Sequence, residues 1–198
     1  MPDLNFQITG VEAVARGVVP LLHFGVRISV QPANHTIHRL FLNAQIQIQS
    51  PQRRYTPAEK KRLFELFGPP EGWGQTLESR LWAHTSATVG AFTDEVEAIL
   101  PVPCTYDLNL AATKYFYALE GGEVPLLFLF SGPLFYPSED GRLQVEAVVE
   151  AVEQDLEKKV HLAVVFEDDP GRDLGRSRQP GHRFFFGIDE VEPLGEAG

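Results

Sequence analysis

A ten-residue stretch decides the fold of this chain: Leu40-Phe41-Leu42-Asn43-Ala44-Gln45-Ile46-Gln47-Ile48-Gln49. Aliphatic side chains stand at every second position, and asparagine or glutamine stands at most positions between them. Because side chains alternate between the two faces of a β-strand, this period predicts a strand with one face in a core and one facing water. The same alternation occurs around residues 4–8 and 22–30. The N-terminal region is therefore predicted to form three strands.

Downstream of this stretch the apolar period changes from that of a strand to that of a helix. The sequence Thr56-Pro57-Ala58-Glu59 is a capping box, in which the threonine hydroxyl and the glutamate carboxylate satisfy each other's backbone amides. It predicts a helix over about residues 57–67, which Gly68-Pro69-Pro70 ends. Apolar side chains at helical spacing predict a second helix over about residues 74–83.

The remaining segments complete a fold of the α+β class that is mainly β. Residues 125–130 are apolar on both faces, which is typical of a central strand. Residues 110–119 fit either a strand or a helix, and the spacing of the valines predicts a helix over residues 146–159. We therefore expect one domain over residues 1–198: an antiparallel β-sandwich or curled sheet, with one or two helices inserted at about 57–67 and 74–83.

The charge of the chain and the length of its apolar stretches limit the class of protein that it can be. Its 17 basic and 27 acidic side chains give a formal net charge of -10, which argues against a general nucleic-acid binder. Most of the acidity lies in residues 139–198, where a long polar loop is predicted over residues 167–181. No apolar stretch reaches the roughly 20 residues of a membrane helix, and no secretory signal begins the chain. A cytoplasmic protein without a membrane span is expected.

The single cysteine, Cys104, limits the chemistry that the chain can perform. It excludes an internal disulfide and a zinc site built from several thiolates. A nucleophilic thiol needs a neighbouring cation or histidine, whereas the charged residue nearest in sequence is Asp107. We therefore predict no catalytic residue, no metal site and no cofactor, with Cys104 as the one candidate for a reactive thiol.

A basic segment stands out against the acidic background. Residues 53–62 contain five basic side chains and one acidic side chain. Such a cluster can bind an acidic surface of a partner, and a solvated helix face is the alternative interpretation. Trp73 lies between two glycines, where burial is less assured, and exposed tryptophan favours interfaces. The predicted partner-binding residues are Arg53, Arg54, Tyr55, Lys60, Lys61 and Trp73.

Several short strings together resemble an uncharacterised bacterial family, a domain of unknown function whose genes tend to lie beside those for nickel-iron hydrogenases. The strings include Arg53-Arg54-Tyr55, Leu66-Phe67-Gly68, Pro101-Val102-Pro103-Cys104-Thr105-Tyr106-Asp107, Lys114-Tyr115-Phe116 and Pro125-Leu126-Leu127-Phe128-Leu129-Phe130-Ser131-Gly132. The resemblance covers about residues 4–136, and residues 139–198 lack the Pro-Trp step and the later Trp segment of the family.

The resemblance implies a non-enzymatic accessory or scaffold protein. It would bind a protein partner, such as a hydrogenase subunit or another accessory protein, during assembly or maturation of a nickel-iron hydrogenase. Two alternatives remain open: a carrier with an apolar cavity for a small ligand, and an enzyme that uses Cys104. The sequence leaves the oligomeric state open.

Overall fold

A computed structural model describes residues 2–14, 21–103, 110–154, 163–166 and 184–187 of the chain. Strands account for most of these residues, and short helices interrupt them. The elements are β1 (Asp3–Val14), β2 (Leu21–Gln31), β3 (Thr36–Ile37), β4 (Arg39–Ile48), α1 (Pro57–Arg62), α2 (Phe64–Phe67), α3 (Trp73–Thr76), β5 (Arg80–Val89), β6 (Phe92–Thr93), β7 (Glu95–Pro103), α4 (Leu110–Ala118), β8 (Leu126–Pro137), β9 (Leu143–Gln154), β10 (Ala163–Phe166) and β11 (Phe184–Gly187).

The main strands form two antiparallel sheets. The first has the order β1-β2-β7, and the second has the order β5-β4-β8-β9. The stretch that opens the sequence analysis is β4, which lies between β5 and β8. Shorter antiparallel pairs join β3 to β6 and β10 to β11. The prediction of a mainly β fold of the α+β class, with antiparallel sheets, is confirmed.

The core lies between the two large sheets. The inward-facing residues of β2 and β4 are buried at every second position, as the alternation predicts. Phe6 of the first sheet stacks on Phe130 of the second with ring centroids 4.8 Å apart, and Phe24 meets Phe128 edge-on at 5.3 Å. Each fully buried side chain of this size stabilises the fold by about 1.5–3 kcal/mol. These aromatic contacts join the two sheets into a sandwich.

The helical insertion between β4 and β5 begins as predicted and ends earlier than predicted. Thr56 caps α1 through the complete capping box with Glu59. The second predicted helix, over residues 74–83, is wrong beyond its first turn, because α3 ends at Thr76 and β5 begins at Arg80. The register between β4 and β5 shifts after Ile46, so a bulge places Trp82 in the core without continuing the helix.

The predicted helix over residues 146–159 is also wrong in its described part. Residues 143–154 form β9, which pairs with β8 along its whole length. Its valines are β-branched and therefore fit a pleated strand better than a helix. Residues 110–118, which fitted either state, form α4. The loop predicted over residues 167–181 lies outside the described residues.

None of the helices in the described ranges is long and apolar enough to cross a membrane.

Candidate functional site

Arg53, the first residue of the predicted basic site, is buried. Its guanidinium group donates to a carboxylate oxygen of Glu59 at 2.9 Å and to the carbonyl of Glu123 at 2.9 Å. A further bond reaches the carbonyl of Gly121. Only 9% of the Arg53 side chain is exposed. Arg53 therefore connects the helical insertion to the loop between α4 and β8 by hydrogen bonds, and its charge is largely shielded from solvent.

Glu59 completes this ion pair from α1 and is 2% exposed. Its second oxygen accepts from the backbone amide of Thr56 at 2.8 Å, and its first also accepts from the amide of Glu120 at 3.0 Å. Burial alone raises the pKa of Glu59, but the bonds from Arg53 and from the two amides outweigh it and lower the pKa below its ordinary value. One carboxylate thus joins the residues that lead into α1 to the loop between α4 and β8.

Tyr55 continues the network toward α4. Its hydroxyl donates to the carbonyl of Ser50 at 2.8 Å and lies 2.8 Å from the hydroxyl of Tyr115. Because the single proton of Tyr55 goes to Ser50, Tyr115 must donate to Tyr55. Burial is the main cause that raises the pKa of both hydroxyls. The pair links the start of the insertion to a fully buried tyrosine of α4.

Trp73 is buried, although its glycine neighbours left its burial open. Its indole nitrogen donates to the carbonyl of Gly68 at 3.0 Å, and 8% of the residue is exposed. Its ring meets Tyr55 edge-on with centroids 5.4 Å apart and Phe67 at 5.9 Å. The tryptophan therefore belongs to an aromatic cluster beneath the helices.

Three predicted site residues in and before α1 lie on the surface. Arg54, Lys60 and Lys61 are exposed, and we call them the basic face. The ammonium group of Lys60 lies 6.0 Å from the centre of the Trp73 ring, a cation–π distance. Within the described part of the chain, Arg54 and Lys61 form no ion pair, whereas Arg62 is paired with Glu120 at 3.2 Å. The basic face thus carries three exposed cations on a frame held by buried contacts.

Two further predictions concern the reactive thiol of Cys104 and the metal site. Cys104 lies in the undescribed segment 104–109, so the reactive-thiol prediction stays untested. Among the residues that the structure describes, no three histidine, cysteine, aspartate or glutamate side chains gather as metal ligands would.

The raised pKa values of Tyr55 and Tyr115 predict how the stability of the fold changes at alkaline pH. Both folded pKa values lie above the ordinary value of about 10, so the stability that these groups contribute is present below that pH and is lost as pH rises through the folded values. We expect part of the tyrosinate absorbance to appear cooperatively, together with the loss of far-UV circular dichroism. Tyr115→Phe should reduce this cooperative part, and Tyr117→Phe, at an exposed tyrosine, should leave it unchanged. A gradual rise without unfolding would contradict the prediction.

The chain was compared with curated proteins, solved structures and protein families. No curated protein matches the sequence significantly. A solution structure of a protein described as late embryogenesis abundant (LEA) aligns with 79% of this chain and 71% of its own at 12% identity, with a TM-score of 0.28. Residues 1–166 match a family of unknown function, which extends beyond the predicted resemblance over residues 4–136. The chain therefore belongs to DUF6084, a family of unknown function.

Proposed function

We propose that this protein is a non-enzymatic accessory or scaffold protein that binds an acidic surface of a partner protein through the basic face. The observation that carries the proposal is the contrast within one short segment. Arg53 is committed to the buried ion pair, while Arg54, Lys60 and Lys61 remain exposed. The three exposed charges are therefore accessible to an acidic surface of a partner.

The buried contacts beneath the basic face support binding by holding its backbone in place. The capping box fixes the start of α1, and the Arg53–Glu59 pair ties it to the loop before β8. A preordered surface loses less conformational entropy on association than a flexible one. Complementary charge then steers the partner and sets its orientation.

The partner that we propose is a nickel-iron hydrogenase subunit or another accessory protein of the same enzyme. Support for this choice comes from the strings quoted above, whose resemblance implies that genomic context. Any metal cluster would belong to the partner, because the chain has one cysteine and such clusters need several thiolates.

Charge reversal on α1 tests the proposal. The double variant Lys60→Glu and Lys61→Glu should reduce the affinity for a co-purified partner at least about ten-fold, since it replaces attraction by repulsion. Arg39→Glu with Arg142→Glu makes the same change of charge at exposed positions elsewhere and serves as the control. Arg53 is unsuitable for this purpose, because its replacement would disturb folding.

The affinity should be measured by titration calorimetry with the purified partner at two salt concentrations. Wild-type binding should weaken as salt rises, because exposed charges are screened over about 8 Å at physiological ionic strength. Equal affinity of the α1 double variant and the wild type would overturn the assignment of the basic face. Equal loss in the control variant would show that only net charge matters.

A further inference from the structure

The hairpin formed by β10 and β11 lies beside α4, and α4 is also a neighbour of the helices around the basic face. β10 contacts α4, and α2 contacts the same helix. Lys114 of α4 pairs with Glu65 of α2 at 2.8 Å. Arg62, which directly follows Lys61, donates to the carbonyl of Ala118 at the end of α4 at 3.5 Å. The hairpin and the basic face are therefore joined through one short helix.

The residues that follow this hairpin are acidic. β11 ends at Gly187, which pairs with Ala163 of β10. Residues 188–198 lie outside the described part of the chain, and we call them the acidic segment. They contain no basic side chain and four acidic ones: Asp189, Glu190, Glu192 and Glu196. The acidic segment therefore starts one strand away from α4, with a charge opposite to that of the basic face.

The acidic segment is long enough to reach the basic face. Glu196 follows Gly187 by nine residues, which span up to about 30 Å when extended. The nine residues of α4 have a length of only about 13 Å. The acidic segment can therefore pass along the whole of α4 and meet α1, wherever along the helix β10 lies.

The charges around the basic face favour this contact. Arg54, Lys60 and Lys61 are exposed, and the nearby carboxylates of Glu65 and Glu120 already have cationic partners. Opposite charges attract, and two groups of one chain meet at an effective concentration of the order of millimolar. An acidic surface of a partner protein would therefore compete with carboxylates that the chain itself supplies.

We propose that the acidic segment 188–198 binds the basic face when no partner is present, and that the acidic surface of the partner displaces it. The inference rests on the proposed function for the identity of the competitor, but the contact itself is a property of the chain alone. It reduces the apparent affinity for the partner by the fraction of molecules in which the basic face is free.

Carbodiimide cross-linking of the full chain tests the contact without any partner. The reagent joins a lysine amine to a carboxylate that touches it, and trypsin then releases residues 184–198 as one peptide, because no lysine or arginine follows Arg183. In the monomer fraction we expect this peptide linked to Lys60 or Lys61, and the link should disappear at high salt. The bond between Lys114 and Glu65 should form in the same sample and shows that the reaction worked.

A fluorescent hexaglutamate peptide provides a second measurement, as an acidic probe for the basic face. Neutralising the acidic segment with Asp189→Asn, Glu190→Gln, Glu192→Gln and Glu196→Gln should raise the affinity for the probe at least about five-fold, the lower end for coupled sites. Four neutralised glutamates at exposed positions elsewhere give the same net charge and should raise it much less: Glu12→Gln, Glu139→Gln, Glu150→Gln and Glu153→Gln.

The outcomes separate this inference from the proposed function. Peptide 184–198 linked to Lys158 or Lys159 instead, or left unlinked while Lys114 and Glu65 are joined, would overturn the contact. Equal gains in the two neutralised variants would overturn it as well. If Lys60→Glu with Lys61→Glu still lowers the affinity for the probe in those cases, the basic face stands and only its covering by the acidic segment fails. If that reversal leaves probe binding unchanged, the proposed function fails too.

Discussion

Replacing Glu59 with alanine is expected to lower the free energy of unfolding by about 3–5 kcal/mol. The substitution leaves the guanidinium group of Arg53 buried without its counter-charge, and it removes the acceptor for the backbone amides of Thr56 and Glu120. Breaking a buried ion pair from one side costs more than the pair itself contributes, because the remaining charge stays desolvated. Denaturant titration followed by circular dichroism measures the change.

Glu65→Ala is the matched control for this substitution. Glu65 lies on α2 and forms an ion pair with Lys114 at 2.8 Å, but its side chain is 75% exposed. Exposed pairs contribute at most about 1 kcal/mol, so the control should unfold almost as the wild type does. Equal losses in the two variants would show that burial of the Arg53–Glu59 pair has no special role.

The acid stability of the protein should also depend on Glu59. Because its folded pKa is lowered, the stability that it contributes is present above the unfolded value of about 4.3 and is lost as pH falls through the folded value. The difference in unfolding free energy between the wild type and Glu59→Gln should therefore shrink in acid. A difference that stays constant from neutral to strongly acidic pH would contradict this assignment.

Gly132→Ala should destabilise the protein by about 3 kcal/mol or more, or prevent folding. Gly132 lies within β8 at a φ of +149°, and a Cβ atom there would stand 1.8 Å from the carbonyl oxygen of Phe41. That oxygen belongs to the backbone of β4 and cannot turn aside, so the two central strands would have to separate. Thermal unfolding followed by circular dichroism measures the loss.

Gly90→Ala provides the comparison for this variant. A Cβ atom at Gly90 meets no heavy atom within 4 Å, and its φ lies outside the left-handed region. We expect a change of less than about 0.5 kcal/mol in unfolding free energy, as for most surface substitutions. If Gly132→Ala were as stable as Gly90→Ala, the close approach of β8 to β4 would be refuted.

Local patterns predicted the strands and the helix start well. The alternation around residues 22–30 and 40–49 appears as β2 and β4, and the capping box at Thr56 starts α1. These features depend on residues that are neighbours in sequence, which is why their physical cause is visible there. The predicted length of the second helix is wrong, because Leu77 and Leu81 fit helical spacing although β5 begins between them at Arg80.

The errors arise where distant residues decide the outcome. The valines of β9 have helical spacing, and pairing with β8 makes the segment a strand instead. The burial of Arg53 depends on carbonyls about 70 residues away, which no local pattern reveals. The contact of Glu59 with Thr56 could be predicted, because the capping box is a local pattern. The contacts of Glu59 with Arg53 and Glu120 could not be predicted.

The order of strands in the larger sheet has a consequence for synthesis on the ribosome. β4 can pair with β5 as soon as residue 89 emerges, but its other neighbour, β8, begins about 40 residues later, which takes about 2–8 s at common elongation rates. Through that interval the nascent chain carries an aliphatic strand with one open side. The helical insertion, already translated between β4 and β5, is available to shield it in that interval.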